Sequence, residues 1–374
     1  MEVKELQKHI RTLATLEETD APVISCYLNL ESSLLSAHTN LLARSQKLNK
    51  GLTGSERWDF QAGLGRIEDY LYSEVKPETK GVALFFRQGM QPFWLAMQFR
   101  VPLPNWMAFD TVPNIYHLVE LKDTYHRYVV VLSTEESARI LEVNLGTVTE
   151  EVWRARPELR QRVGREWSRE HYYNHRRNKT DQFIKEKIAV VEQLMSAGGH
   201  THLILAGNPR LTSQIRKELP KQLQEKLVDT IVASGNDKLA DVVTATLSAF
   251  IEQEEIESQA LAERLRREIY TGGLAVIGTR ETYSALQAVQ VEAIVMAKDY
   301  SPQLGWKCQT CDGSGLTPPE RSKCSECKSD LIKPMDLREE MILLAERRGC
   351  HVEIVNHSPW LQEAGGVGAL LRYL

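Results

Sequence analysis

The spacing of apolar residues changes several times along this chain, and each change marks an expected element. Met1–Glu18 carries Leu6, Ile10, Leu13 and Leu16 near one face of a 3.6-residue repeat, which predicts an amphipathic helix. Pro22–Leu30 (PVISCYLNL) is an apolar run that predicts a strand. Helical spacing follows at Ser36–Lys50 and Ser55–Val75. Gly81–Arg87 and Pro92–Arg100 predict paired strands with Gly89 in the turn. Pro102 and Pro104 then interrupt the pattern, and a mixed α/β first domain is expected over residues 1–121.

A second domain is expected over 122–236. Tyr125–Thr134 (YHRYVVVLST), Ala138–Leu145 and Thr147–Trp153 predict strands, the last two separated by Gly146. A helix at about Lys179–Ala197, a strand at Thr201–Ala206, a helix at Asn208–Leu219 and a strand near Asp229–Val232 follow. Strands alternating with helices predict a layered α/β domain. Asp237–Tyr270 reads as one long helix with Leu239, Val242, Val243, Leu247, Phe250 and Ile251 on its apolar side. Its acidic cluster, Glu254, Glu255 and Glu257, reads as a solvated face. This helix opens a third domain, 237–374, with a helix at Thr282–Ala288, strands at Val291–Met296 and His351–Val355, and a helix at Asp336–Arg348. Residues 302–334 interrupt it.

Composition narrows the picture. A chain of 374 residues has room for two or three domains. A net charge of −4 does not mark a nucleic-acid binder, so any such contact must come from a local patch. No run of ~18 apolar residues occurs, so no membrane span is expected, and the N-terminus lacks the apolar core of a secretory signal. Four of the six cysteines form two CxxC pairs, while Cys26 and Cys350 stand alone. That usage points to metal binding in a reducing compartment, and the expected location is the cytoplasm.

The pairs are Cys308-x-x-Cys311 and Cys324-x-x-Cys327, twelve residues apart. Two intervening residues let both sulfurs of a knuckle face one ion at about 2.3 Å. Gly313 and Gly315 follow the first pair, where a tight turn favours residues that tolerate positive φ. The second pair is followed by Lys328-Ser329-Asp330, a less typical knuckle. Four thiolates would saturate a tetrahedral Zn2+ and leave no open position, so the expected role is structural. A redox dithiol is the competing use, but two spaced pairs are more specific for a metal than one.

Trp153–Lys179 reads WRARPELRQRVGREWSREHYYNHRRNK. Nine Arg/Lys stand against three Glu, with Trp167, Tyr172 and Tyr173 interleaved. Guanidinium forks suit phosphates, and aromatic faces stack on bases. The stretch reads either as a projecting RNA-contacting loop leading into a helix or as a solvated, ion-paired surface. His171 and His175 have i, i+4 spacing, but no HExxH accompanies them. A P-loop and a G-x-G-x-x-G after a strand are both absent.

The third domain resembles a known family. Ile269-Tyr270-Thr271-Gly272-Gly273-Leu274-Ala275-Val276-Ile277-Gly278, then Thr282-x-x-Ala285-Leu286 and Val291-Glu292-Ala293-Ile294, is similar to the opening of the last domain of archaeo-eukaryotic class-one release factors and Pelota. Val352–Val355 and Gly365-Gly366-Val367-Gly368-Ala369-Leu370-Leu371-Arg372-Tyr373 resemble that domain's closing strand and ending. The resemblance extends to the bacterial branch that includes Balon-like ribosome-hibernation factors. It implies an α/β, three-domain fold: a mixed first domain, an RNase H-like middle domain and an L7Ae/Pelota-like third domain with an inserted zinc ribbon. In the family, a loop of the middle domain approaches the peptidyl-transferase centre, and Trp153–Lys179 occupies the corresponding place.

The resemblance therefore implies a ribosome-binding translation factor that enters the A site of idle or stalled ribosomes. Arg165, Arg169, His171, His175, Arg176, Arg177 and Lys179 would contact ribosomal RNA, with a translational GTPase such as an elongation factor as a further partner. Family release factors carry Gly-Gly-Gln in the projecting loop. Here the loop has Gly164-Arg165-Glu166-Trp167, and no Gly-Gly-Gln occurs in the chain. Hibernation, protection or rescue is thus expected ahead of hydrolysis. Two alternatives stay open: peptidyl-tRNA hydrolysis by an altered loop using Glu166, His171 or Gln161, and a non-ribosomal RNA-binding adaptor.

Overall fold

The computed structural model describes residues 2–134, 138–155, 169–196, 199–234, 237–311, 313–317 and 323–373. The chain divides into two compact units, one of Val3–Thr124 with Glu255–Leu374, the other Tyr125–Glu254. The two ends of the chain therefore belong to one body.

The N-terminal part of the larger unit begins with α1 (Val3–Ala14), whose Leu6, Ile10 and Leu13 are fully buried. It continues with β1 (Val23–Asn29), α2 (Leu34–Asn49), α3 (Gly54–Ser73), β2 (Gly81–Arg87), β3 (Phe93–Phe99), β4 (Trp106–Asp110) and α4 (Tyr116–Thr124). The strands form an antiparallel sheet in the order β3-β2-β1-β4. β1 shows why its sequence is a continuous apolar run. Ile24, Cys26 and Leu28 face α2 and α3, and period-two alternation turns Tyr27 to the opposite side. There Tyr27 is also fully buried, meeting Phe85, Trp106 and His117 edge-on. Helix α3 lies close on the sheet at Gly63, where a Cβ would stand 2.4 Å from Ile24 Cδ1.

The smaller unit holds β5 (Arg127–Ser133), β6 (Ala138–Asn144), β7 (Thr147–Ala155), α5 (Arg169–Ser196), β8 (His200–Gly207), α6 (Pro209–Glu218), α7 (Lys221–Gln224) and β9 (Leu227–Val232). Its sheet runs β7-β6-β5-β8-β9, with an antiparallel β5-β6-β7 meander and parallel β5-β8-β9 pairing. The turn from β6 to β7 places Leu145 (φ 46°) and Gly146 (φ 69°) in the left-handed region. Positive φ at both central residues is the requirement of a type I′ hairpin. Alternate residues of β5 feed two cores: Val129 and Val131 pack with α5 and α6, while Tyr128, Val130 and Leu132 pack against the start of the next helix, α8 (Leu239–Thr271). The expected layered α/β arrangement is therefore present, with helices on both faces.

The C-terminal part of the larger unit contains β10 (Ala275–Ile277), α9 (Thr279–Gln287), β11 (Val291–Ala297), β12 (Gly305–Cys308), β13 (Ser314–Gly315), β14 (Ile332–Met335), α10 (Leu337–Arg348), β15 (His351–Val355), α11 (Pro359–Glu363) and β16 (Val367–Leu371). One sheet has the order β10-β16-β11-β15, so the last strand inserts between the first two. A separate three-stranded sheet, β13-β12-β14, carries the cysteines. Among the described residues no helix is long and apolar enough to cross a membrane.

The two parts of the larger unit meet through buried polar contacts. Glu339 of α10 is 4% exposed and accepts hydrogen bonds from the backbone N–H groups of Ile115 and Tyr116 at the start of α4. Tyr116 Oη donates to the Lys298 carbonyl at 3.1 Å, and the Arg338 guanidinium lies over the Tyr116 ring. Lys122 pairs with the buried Glu346. Asp123 accepts the Ile354 N–H at 2.7 Å, satisfying a donor on the edge strand β15.

Candidate metal centre and basic helix

The ribbon cannot hold itself together by apolar burial. Its core is Trp306, Cys308 and Cys324, with Cys311 and Ile332 packed against them. β12 delivers Cys308 at its end, and the two knuckles bring the other sulfurs to it. Cys308 Sγ lies 3.5 Å from Cys327 Sγ, and Cys311 Sγ lies 3.5 Å from Cys324 Sγ. All four sulfurs fall within 4.8 Å of one another. Tetrahedral coordination at about 2.3 Å puts sulfurs about 3.8 Å apart, so the donor set fits a Zn2+-sized ion.

Backbone N–H groups aim at the sulfurs. Thr310 N–H donates to Cys308 Sγ at 3.3 Å and Gly313 N–H to Cys311 Sγ at 3.4 Å. Burial would raise the Cys308 thiol, but the N–H groups of Thr310 and Cys311, with the thiols of Cys327 and Cys311, outweigh it and bring it down to about 6. At Cys311 the Gly313 N–H lowers the thiol, yet the sulfurs of Cys327, Cys324 and Cys308, together with burial, push it up to about 12. Four thiolates this close repel, so full ionisation needs a cation among them.

The glycine expectation is corrected in detail. Gly313 is not among the positive-φ residues. It is needed for space, because a Cβ there would meet Cys324 Sγ at 3.1 Å and Cys311 Sγ at 3.3 Å. The left-handed residue of the second knuckle is Lys328, at φ 63°.

Two features beside the ribbon carry no motif. Lys307 and Lys333 are register partners across β12 and β14. Glu18, in the N-terminal part of the unit, reaches both: its Oε2 is 2.7 Å from Lys307 Nζ, and Oε1 pairs with Lys333. Thr111 Oγ1 also donates to it at 2.7 Å. Burial would raise the Glu18 carboxyl, but Lys307, Lys333 and Thr111 hold it at about 2. At Glu339 the balance reverses: burial raises the carboxyl to about 8, although the Ile115 and Tyr116 N–H groups favour its ionised form. In the smaller unit, Lys187 is 1% exposed and donates to Ser133 Oγ at 2.6 Å, and burial lowers it to about 8. No sequence pattern marks these groups, because their partners are remote in the chain.

The basic stretch is partly a helix. α5 starts at Arg169, ten residues before the expected start, so Arg169, His171, His175, Arg176, Arg177 and Lys179 stand on helical backbone. Residues 169–179 contain no Gly or Pro, so nothing in them stops a helix. Their side chains, and all of Arg165, Gln161, Gly164 and Glu166, lie outside the described residues.

Comparison with known proteins adds to this geometry. The sequence model of bacterial archaeo-eukaryotic release factor family 10 matches residues 113–250. The peptide chain release factor subunit 1 of Pyrococcus abyssi (strain GE5 / Orsay) is 26% identical over 412 residues, covering 99% of this chain and 97% of the relative. That of Thermococcus onnurineus (strain NA1) is 23% identical, covering 100% of this chain and 98% of the relative. Among solved structures, Archaeoglobus fulgidus Pelota is 14% identical, covering 100% of this chain and 92% of that one, with a TM-score of 0.38. A ribosome-bound archaeal Pelota with ABCE1 is 13% identical, covering 98% and 94%, with a TM-score of 0.42.

Proposed function

We propose that this chain, which matches a bacterial archaeo-eukaryotic release factor family over residues 113–250, is a ribosome-associated translation factor of the release factor and Pelota superfamily that occupies the A site of idle or stalled ribosomes without hydrolysing peptidyl-tRNA. The observation that carries the reading is the basic, aromatic stretch Trp153–Lys179, which lies inside the family match and lacks Gly-Gly-Gln. Arg169, Arg176, Arg177 and Lys179 belong to helix α5 and would supply cations to phosphates. Arg165, His171 and His175 would supply further RNA contacts. Without the glutamine that positions water, the stretch would bind near the catalytic centre and occupy it. The outcome is hibernation, protection or rescue, in the cytoplasm, with a translational GTPase as delivery partner.

In this reading the four cysteines hold one structural Zn2+. The ion supplies the folding energy that the small ribbon core cannot. Its coordination is complete, so the chain's own residues need do no chemistry there.

Ribosome co-sedimentation at physiological salt tests the proposal. The protein should pellet with ribosomes. Arg176→Ala with Arg177→Ala should weaken binding and flatten its salt dependence, by about one unit of log–log slope for each phosphate no longer bound. Absence from ribosomes of both growing and starved cells would count decisively against it. A second reading is favoured by one observation: the relatives matched over nearly their whole length are named release factors. Peptide release from stalled ribosomes, abolished by Glu166→Gln or Gln161→Ala, would establish that reading in place of the first.

A further inference from the structure

Lys307 and Lys333 stand directly opposite each other on β12 and β14. Like charges in register across two strands repel and destabilise the pairing. The register is nonetheless fixed, because the next residue of β12 is the sulfur ligand Cys308, paired with Ile332. The two ammonium groups are thus forced together by the ribbon's own geometry. Glu340 of α10 bears on Lys307 and Asp110 on Lys333, but the direct ion pairs come from a more distant part of the chain. Glu18 follows α1 and offers one carboxylate oxygen to each lysine, and Thr111, just past β4, binds the same carboxylate. Both lysines are less than one-fifth exposed, so solvent alone does not screen the pair.

We propose that Glu18, Lys307 and Lys333 form a metal-controlled latch, in which the ion fixes the β12–β14 register, the register creates a two-lysine site, and Glu18 closes the N-terminal part of the unit onto it. The latch rests on the reading of the four-thiol centre as a metal site. When the ion leaves, the small ribbon core no longer holds Cys308 and Ile332 in register, the lysines separate, and the carboxylate loses its two-point seat. The hydrogen bonds and ion pair at Glu339, Glu346 and Asp123 involve α10 and β15, outside the ribbon, and stay closed. Metal loss therefore frees one corner of the N-terminal part without detaching it. Linkage makes the effect reciprocal: whatever opens the latch also loosens the ion.

Two measurements on the full chain test this. In hydrogen exchange, zinc removal by a chelator should raise exchange at residues 17–23 and 108–112 as well as at 305–335, with α1 and α4 unchanged. In zinc transfer to a chromogenic chelator, Glu18→Gln should release the ion about 5-fold faster than wild type, the low end expected for a partly exposed coupling. Lys333→Met added to Glu18→Gln should restore release to within about 2-fold of wild type, since it removes the repulsion that Glu18 relieves. A merely structural role for Glu18 would not be rescued by deleting a lysine. Exchange gains confined to 305–335, wild-type release from Glu18→Gln, or failure of the rescue would each overturn the latch while leaving the metal reading intact. A chain that purifies without metal, never having met chelator, would overturn the metal reading, and the latch with it.

Discussion

Two of the carboxylates that join the N- and C-terminal parts of the larger unit behave in opposite ways. At the ribbon, Glu18 faces two ammonium groups and is held at about 2. At α4, burial pushes Glu339 to about 8, with Asp336 adding to the rise, although the Ile115 and Tyr116 N–H groups and Arg338 oppose it. Both are drawn out of water where the same two parts meet. Full counter-charges more than offset the lost hydration at Glu18, whereas the partial charges of a helix N-terminus do not at Glu339. Two N–H donors thus suffice to orient a buried carboxyl, but not to keep it ionised at neutral pH.

The largest way to break this comparison is to disrupt the four-cysteine cluster. Cys324→Ser should abolish stoichiometric zinc binding and collapse hydrogen-exchange protection across 305–335, read by metal analysis and exchange mass spectrometry. Protection at α4 and α10 should survive, because Glu339 needs no ion. Next in size, Glu339→Ala should cost about 2–4 kcal/mol in chemical denaturation, since it leaves two buried N–H groups without an acceptor. Glu339→Gln keeps one acceptor oxygen and should cost less.

The pH dependence sharpens the contrast, because the signs differ. Glu339 has a folded pKa above its unfolded value of 4.5, so its contribution is complete below about 4.5 and is lost as pH rises through 8. Glu18 has a folded pKa below 4.5, so its contribution is present above that value and is lost as pH falls toward 2. Denaturation midpoints measured from pH 3 to 9 should decline at both ends. Glu339→Gln should flatten the alkaline limb alone, and Glu18→Gln the acid limb alone. Loss of both limbs in either variant would mean that the two carboxylates are not independent.

The smallest effect supplies the control. Helix α9 ends with Val289 at φ 62°, where the N–H of Gln290 returns to the Ala285 carbonyl and that of Val289 to the Leu286 carbonyl. This is the C-terminal motif that normally holds glycine, and a β-branched residue is strained in it. Val289→Gly should stabilise by about 0.5–1 kcal/mol, seen as a higher Tm with both pH limbs unchanged.

What could be read in advance follows from how local each feature is. β1, β5 and β11 announced themselves because strands buried on both faces leave continuous apolar runs. β4 (Trp106–Asp110) and α4 were missed: WMAFD sits among prolines and polar residues, and α4 is short, with an N-terminus whose acceptor, Glu339, is 224 residues away from Ile115 in sequence. The helical start of α5 at Arg169 was hidden by charge, since a stretch so polar has no apolar stripe to follow.

The sequence by itself determined the four-cysteine cluster, because its information is carried by spacing: two residues within each pair and twelve between the pairs. It also determined the layered middle sheet and the resemblance to release factors, through runs and motifs that are contiguous. Only the tertiary structure decided that the two ends of the chain form one unit, that Lys307 and Lys333 oppose each other under Glu18, and that Glu339 caps a helix in trans. These are long-range electrostatic choices. A carboxylate's partner is whichever donor or cation folding brings within about 3 Å, and no periodicity in the chain encodes that distance.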